Sequence, residues 1–206
     1  MPILSSFYKP NTIEAGVDEA GRGSLIGPVF AAAVILPTDF KNKFLNDSKK
    51  LSEKKRDELR IVIEKEAIAW SVAKINEDII DKVNILNATY LAMHEAVRNL
   101  TTKPELLLID GNRFKPYPKI QHVCHVKGDG KFMSIAAASI LSKTHRDEFI
   151  KKIHFEFPQY NWDQNKGYGT ANHKEMYEKF GPSVYQRKTF KYKPKQIEID
   201  FMNFEF

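Results

Sequence analysis

The sequence predicts an α/β fold, a mixed central sheet flanked by helices with a helical C-terminal region, and three observations carry that reading. Two short apolar runs, 13–20 (IEAGVDEA) and 28–36 (PVFAAAVIL), flank a glycine-rich turn and read as a hairpin. Further apolar runs at 105–110 (ELLLID) and 120–126 alternate with long helical patterns. Beyond Pro158 the chain turns aromatic and basic, with one more helix expected at 171–180.

Each helix has a start signal or a period. Ser52 is placed to cap a helix in which Leu59, Val62, Ile63, Ala67 and Trp70 fall at helical spacing. Asn76 is placed to cap a second, with Ile80, Val83, Leu86, Tyr90, Leu91 and Val97 on one side until the pattern fades near Leu100. The run at 105–110 is continuously apolar until an acid and a glycine end it, as in a strand covered on both faces. Segment 131–152 holds neither Gly nor Pro and is expected to be one long helix, started by Asp129 between Gly128 and Gly130. The expected organisation is one domain over 1–206: a core at 13–155, a helical and basic region at 156–195 and a tail at 196–206.

Composition narrows the function classes. A chain of 206 residues can bury a real core, and 42% hydrophobic with 28% charged residues excludes a disordered or fibrous class. The net charge of +6 favours an anionic partner such as nucleic acid. Cys124 is the only cysteine, so neither an internal disulfide nor a thiolate zinc cage can form. The start MPILSSFYKP has no targeting pattern, and no stretch approaches the roughly 20 apolar residues of a membrane span. A cytoplasmic monomer without a membrane partner is expected.

Four acids stand out. Asp18 and Glu19 end the first strand on opposite sides of the chain, where polar residues also occur for solubility alone. Asp110 ends an apolar run, and ligands of open α/β sheets gather beyond the carboxyl ends of strands. Asp147 shares the helical stripe of Ala136 and Ile140, and an ion pair with Lys143 or Arg146 is the alternative use for it. Two like charges about 4 Å apart repel by roughly 4 kcal/mol at an effective dielectric near 20. Converging carboxylates therefore call for a divalent cation, and hard oxygen ligands suit Mg²⁺ or Mn²⁺. Paired ions about 3.5 to 4 Å apart serve in-line phosphoryl displacement.

The motifs GVDEAGRGSLIGPV, DSKKLS, LLLIDG, KGDGKFMSIAAASILSK followed by RD, and KGYGT, in this order over 13–190, resemble type 2 ribonuclease H, specifically bacterial ribonuclease HII. The resemblance implies a ribonuclease H-like fold whose four acids, matching Asp18, Glu19, Asp110 and Asp147, are catalytic and bind two Mg²⁺ or Mn²⁺ ions. It implies hydrolysis of the RNA strand of RNA-DNA hybrids and of the phosphodiester 5′ of ribonucleotides embedded in duplex DNA. The products are 3′-hydroxyl and 5′-phosphate ends, and the roles are ribonucleotide repair and primer removal. Gly21, Arg22 and Gly23 match the motif whose backbone contacts the ribose 2′-hydroxyl, and Tyr168 matches the tyrosine that packs on the next deoxynucleotide's sugar. Lys49, Lys50, Ser139 and Lys143 are further substrate-binding candidates, near phosphate or supporting groups that touch it. Asp129 is left outside the metal set. Ribonuclease HIII resembles the chain less, since it lacks the Gly-Arg-Gly motif and carries an extra N-terminal domain.

Other readings fare worse. The glycine-rich turn leads into a strand at Pro28, whereas a dinucleotide-binding loop opens a helix. His122 and Cys124 share one strand face and His125 takes the other, which disfavours zinc. A non-catalytic nucleic-acid module would use Arg187, Lys188, Lys191, Lys193 and Lys195 among Phe190 and Tyr192, a patch expected to hold the duplex backbone, but it has no use for converging acids. The tail alternates apolar and polar residues, and 196–201 (QIEIDF, Gln196 to Phe201) is similar to short glutamine-led peptides that bind sliding clamps.

Overall fold

The computed structural model describes residues 4–45, 48 and 51–191. Ten elements follow in chain order: β1 (Glu14–Ala20), β2 (Val29–Ile35), α1 (Glu53–Glu66), β3 (Ala69–Ile75), α2 (Glu77–Arg98), β4 (Leu106–Asp110), β5 (Gln121–His125), α3 (Met133–Glu156), α4 (Trp162–Asn165) and α5 (Ala171–Phe180). The sheet order is β3-β2-β1-β4-β5. Strand β2 runs antiparallel to β1 and β3, while β1, β4 and β5 are parallel, so the sheet is mixed as expected.

Both sheet faces are covered, which is why β1, β2 and β4 are buried along nearly their whole length, and β2 and β4 are apolar. On one face Val17, Ala31, Ala33 and Ile109 pack with Ala88, Ala92, Met93 and Ala96 of α2. On the other, Ala32 and Val34 pack with Leu59 and Ile63 of α1 and Ala136, Ala137 and Ile140 of α3. Gly16 sets how closely α3 lies on β1. A Cβ at Gly16 would stand 2.1 Å from the Ser134 carbonyl carbon and 2.3 Å from the Ile135 nitrogen. Behind the β1–β2 turn, Ile26 packs with Ile150, Ile153, Tyr160 and Trp162, joining the C-terminal helices to the sheet.

Three expectations change. Ser52 caps α1 through its side chain, but the helix ends at Glu66, and Ala67 and Trp70 lie beyond it. The segment after it is the edge strand β3, whose Ala69, Ser71 and Ala73 are buried on alternate positions. The positions of Ile63, Ala67 and Trp70 fit a helical period by coincidence, while the pairing of 69–75 with β2 decides the structure. Helix α2 starts after Asn76, whose side chain makes no cap bond, and is interrupted at Asn84 (φ 67, ψ 164). That break shifts the helical phase: Leu86 and Leu91 are exposed, and the small residues Ala88, Ala92 and Ala96 face the sheet. Asp129 does not hold the N-cap position of α3. It sits in a 3₁₀ turn, Gly128–Gly130, and Phe132 holds the N-cap position. Among the described residues no helix is long and apolar enough to cross a membrane.

Candidate active site

Strands β1 and β4 are parallel neighbours in which Val17 pairs with Ile109, so Asp18 and Asp110 leave the sheet side by side at the same edge. Alternation along β1 sends Asp18 and Glu19 to opposite sides of the strand, yet the strand end lets both reach one cavity. That cavity, of about 600 Å³, is lined by Asp18, Glu19 and Asp110, by Gly21, Arg22 and Gly23, and by Ser48, Ser139, Lys143 and Tyr168. Helix α3, pressed onto Gly16, brings Ser139 and Lys143 over the acids. Ser139 shares a 3.0 Å hydrogen bond with Ser48, a residue of the DSKKLS motif that the sequence did not single out. Lys49 and Lys50 lie outside the described residues.

The acids are electrostatically strained. Burial, then the charges of Glu19 and Asp110, hold the Asp18 carboxyl well above its usual range, with Ser139 offsetting part of the effect. Glu19 is raised in the same way, by burial and by Asp110, against the pull of Arg22 at 3.1 Å. Asp110 is fixed differently: the Gly128 backbone N–H donates to its Oδ1 at 2.7 Å. Among the described residues no three acid, imidazole or thiol groups form a ready-made metal ligand set. Glu19 is turned onto Arg22, and one oxygen of Asp110 is taken by Gly128. The donor chemistry nonetheless fits a hard divalent cation, because three carboxylates, two of them with depressed acidity, share one cavity.

Asp147 stands apart. The Lys143 ammonium donates to its Oδ1 at 2.6 Å and its Oδ2 at 2.7 Å, and Arg56 approaches to 3.8 Å. Its carboxylate lines a separate pocket with Glu53, Asp57 and Glu148. Helical periodicity turns Asp147 inward as expected, but toward α1 and its own Lys143, so the structure does not group it with the other three acids. Burial, then the charges of Arg146 and Arg56, lowers the Lys143 ammonium, which Asp147 counteracts. Asp129 is buried in the turn that holds Asp110.

The loop that follows Asp18 and Glu19 is built from glycine geometry. Gly21 has φ +91, and a Cβ there would meet Arg146 Nε at 2.4 Å. Arg146 is fully buried, donates to the Lys166 carbonyl at 2.8 Å, and lies 5.1 Å from the Tyr168 ring. Tyr168 is partly exposed at the cavity wall and is tied to Ser24 by a β-bridge. Arg187, expected in the exposed basic patch, is instead fully buried beneath this loop. Its guanidinium meets carbonyl oxygens of the turn, and burial, aided by Arg146, pushes it down to about 9. Of that patch Lys188 is anchored by its backbone to Asp81, and Lys191 is exposed. Tyr192, Lys193, Lys195 and the tail 196–206 lie outside the described residues.

Comparison with known proteins agrees with this architecture. The family model of ribonuclease HII matches residues 15–193. A ribonuclease HII from Parabacteroides distasonis is 57% identical over 97% of this chain and 100% of its own length. Among solved structures, the PCNA:RNase HII complex from Archaeoglobus fulgidus superposes with TM-score 0.73 at 25% identity, covering 90% of this chain and 98% of that one. The Bst-RNase HIII complex with Mn²⁺ shares the fold, with TM-score 0.68 at 17% identity, over 87% of this chain and 64% of that one. With a family match that spans the sheet, the acid-bearing strand ends and the loop after them, the chain belongs to the ribonuclease HII family and is a ribonuclease H endonuclease.

Proposed function

We propose that the chain cleaves the phosphodiester 5′ of a ribonucleotide embedded in duplex DNA, and the RNA strand of RNA-DNA hybrids, leaving 3′-hydroxyl and 5′-phosphate ends. The observation that carries this reading is the single cavity in which Asp18, Glu19 and Asp110 face Gly21, Arg22, Gly23 and Tyr168. The acids bear the charge for phosphoryl chemistry, and the loop with Tyr168 bears groups suited to a sugar. Ribonucleotide repair and primer removal in the cytoplasm are the corresponding roles.

Asp18, Glu19 and Asp110 are the residues to hold two divalent ions. Mg²⁺ or Mn²⁺, when bound there, lowers the pKa of an attacking water and neutralises charge at the leaving oxygen. The binding of Mn²⁺ by the ribonuclease HIII neighbour supports this choice. Glu19, held by Arg22 at 3.1 Å, would turn from it to hold an ion, which would leave Arg22 to pair with a phosphate. Lys143 presents its ammonium to a phosphate oxygen, and Asp147 holds that ammonium in place instead of serving as a fourth ligand. Ser139, bonded to Ser48, fixes Asp18 on the α3 side. Backbone N–H groups of the Gly-Arg-Gly loop receive the ribose 2′-hydroxyl, the atom that separates RNA from DNA. Tyr168 packs on the neighbouring deoxyribose, supported from behind by Arg146.

The experiment that tests this is cleavage of a duplex with one ribonucleotide, mapped to the nucleotide, with and without divalent metal. A ribonuclease HIII-like preference for long hybrids over single ribonucleotides is the second reading, and the same assay separates the two. The tail at 196–201 is proposed to dock on a sliding clamp, supported by the solved complex of the archaeal neighbour with PCNA. Truncation after Lys195 abolishes clamp binding on this reading, and unchanged affinity removes it.

A further inference from the structure

Arg187 enters the glycine-rich turn from the far end of the chain. Its Nη2 donates to the Gly21 carbonyl at 2.9 Å, Nη1 to Arg22 at 3.0 Å and Ser24 at 2.7 Å, and Nε to Gly27 at 2.8 Å. Its backbone N–H donates to the Leu25 carbonyl at 3.0 Å. The segment is anchored in turn on α2, where Asp81 accepts the N–H groups of Lys188 at 2.9 Å and Thr189 at 3.0 Å.

A guanidinium holds its five donors in one rigid plane. Four bonds to four carbonyls of one turn therefore fix the tilt of those peptide planes. In a trans peptide the carbonyl and the following N–H point in opposite directions. With the Gly21 and Arg22 carbonyls drawn inward onto Arg187, the N–H groups of Arg22 and Gly23 face outward, on the cavity wall that these residues line. Neither donates to a backbone acceptor among the described residues. The inward bonds thus leave a pair of outward donors available.

We propose that Arg187 is the positioning residue for junction recognition: it aims the Arg22 and Gly23 N–H groups at the substrate's ribose without touching the substrate itself. The proposal rests on the reading of the Gly-Arg-Gly loop given above and names the group that makes the loop competent. A lysine keeps a buried cation, but its three donors radiate from one point and cannot span Gly21 to Gly27. A glutamine leaves carbonyls without a donor, and the peptide planes turn to find water.

The test compares wild type, Arg187→Lys and Arg187→Gln by fluorescence anisotropy in Ca²⁺, with thermal melting to verify the fold. The probes are a duplex DNA with one ribonucleotide and the matched all-DNA duplex. Wild type is expected to prefer the ribonucleotide duplex by about tenfold, the scale of one or two hydrogen bonds. Arg187→Lys is expected to lose most of that preference while its affinity for all-DNA duplex stays within about twofold, less than half the free energy of a tenfold step. If Arg187→Gln does not fold, Arg187→Lys decides alone. A folded Arg187→Lys that keeps the full preference overturns the proposal, as does one that loses affinity for both duplexes equally, which marks a purely structural role. Wild type with no preference overturns the loop reading itself, and the proposal with it.

Discussion

Lys143 donates to both carboxylate oxygens of Asp147, at 2.6 and 2.7 Å, while the lysine also lines the cavity of Asp18, Glu19 and Asp110. One turn of α3 thus connects an acid outside the cavity to an ammonium inside it. Asp147→Asn is expected to release Lys143 and lower kcat/KM by roughly tenfold to a hundredfold, the usual effect of removing a group that orients a site residue. The rise in melting temperature on adding Mg²⁺ or Mn²⁺ is expected to survive. Differential scanning fluorimetry with and without metal checks this, and loss of the metal response would make Asp147 a ligand after all.

Asp18 is buried with like charges beside it, so its ionised form works against the metal-free fold. Asp18→Asn is expected to raise metal-free stability, because the amide buries no charge beside Glu19 and Asp110. The same variant loses cleavage and most of the stabilisation by divalent ions. Urea unfolding at neutral pH, with and without Mg²⁺, measures both effects. A variant less stable than wild type without metal contradicts the electrostatic account.

Gly16 is where the strand carrying Asp18 meets the helix carrying Ser139 and Lys143. Because a Cβ there would stand 2.1 Å from backbone of α3, Gly16→Ala must displace the helix. A cost of about 3 kcal/mol or more is expected, at the upper end for overpacking. Activity falls further than stability, since Ser139 and Lys143 move with the helix. Denaturant midpoints and kcat at a temperature where the variant is folded separate the two losses.

Burial, then the charge of Arg60, lowers the His145 imidazole below its usual range, although Glu64 at 2.9 Å draws it back. The folded protein therefore takes up this proton at lower pH than the unfolded chain, whose imidazole titrates near about 6.5. Between those two values the unfolded chain binds more protons, so stability falls as pH drops below about 6.5 and returns above it. Asp18 and Glu19 act in the opposite sense, because their raised pKa values make the folded state bind protons more readily in acid. The His145 contribution is thus read as a difference. His145→Gln is expected to lose less stability than wild type between pH 7.5 and 5.5, as measured by melting temperature.

What the sequence discloses follows from how local each determinant is. The hairpin, β4 and α3 are legible because their turns, apolar runs and freedom from breakers are local properties. Strand β3 is not, since Ile63, Ala67 and Trp70 satisfy a helical period that only pairing with β2 overrules. In α2 the interruption at Asn84 shifts the phase, and no residue type announces it. The strand ends mark Asp18, Glu19 and Asp110, whose meeting then depends on β1 and β4 being neighbours. Periodicity turns Asp147 inward but cannot say what it meets, and Lys143 and Arg56 are found only in three dimensions. Arg187 is hidden most completely, because arginine among lysines and aromatics reads as a solvated patch, and its acceptors lie about 160 residues earlier in the chain.

The most direct test of the central claim, one cavity joining metal chemistry to ribose recognition, is a mapped cleavage assay on duplex DNA with a single ribonucleotide. A single nick immediately 5′ of the ribonucleotide is predicted, only with Mg²⁺ or Mn²⁺ and absent in Asp18→Asn. Equal cleavage of the matched all-DNA duplex, or cutting that persists without divalent metal, would contradict it.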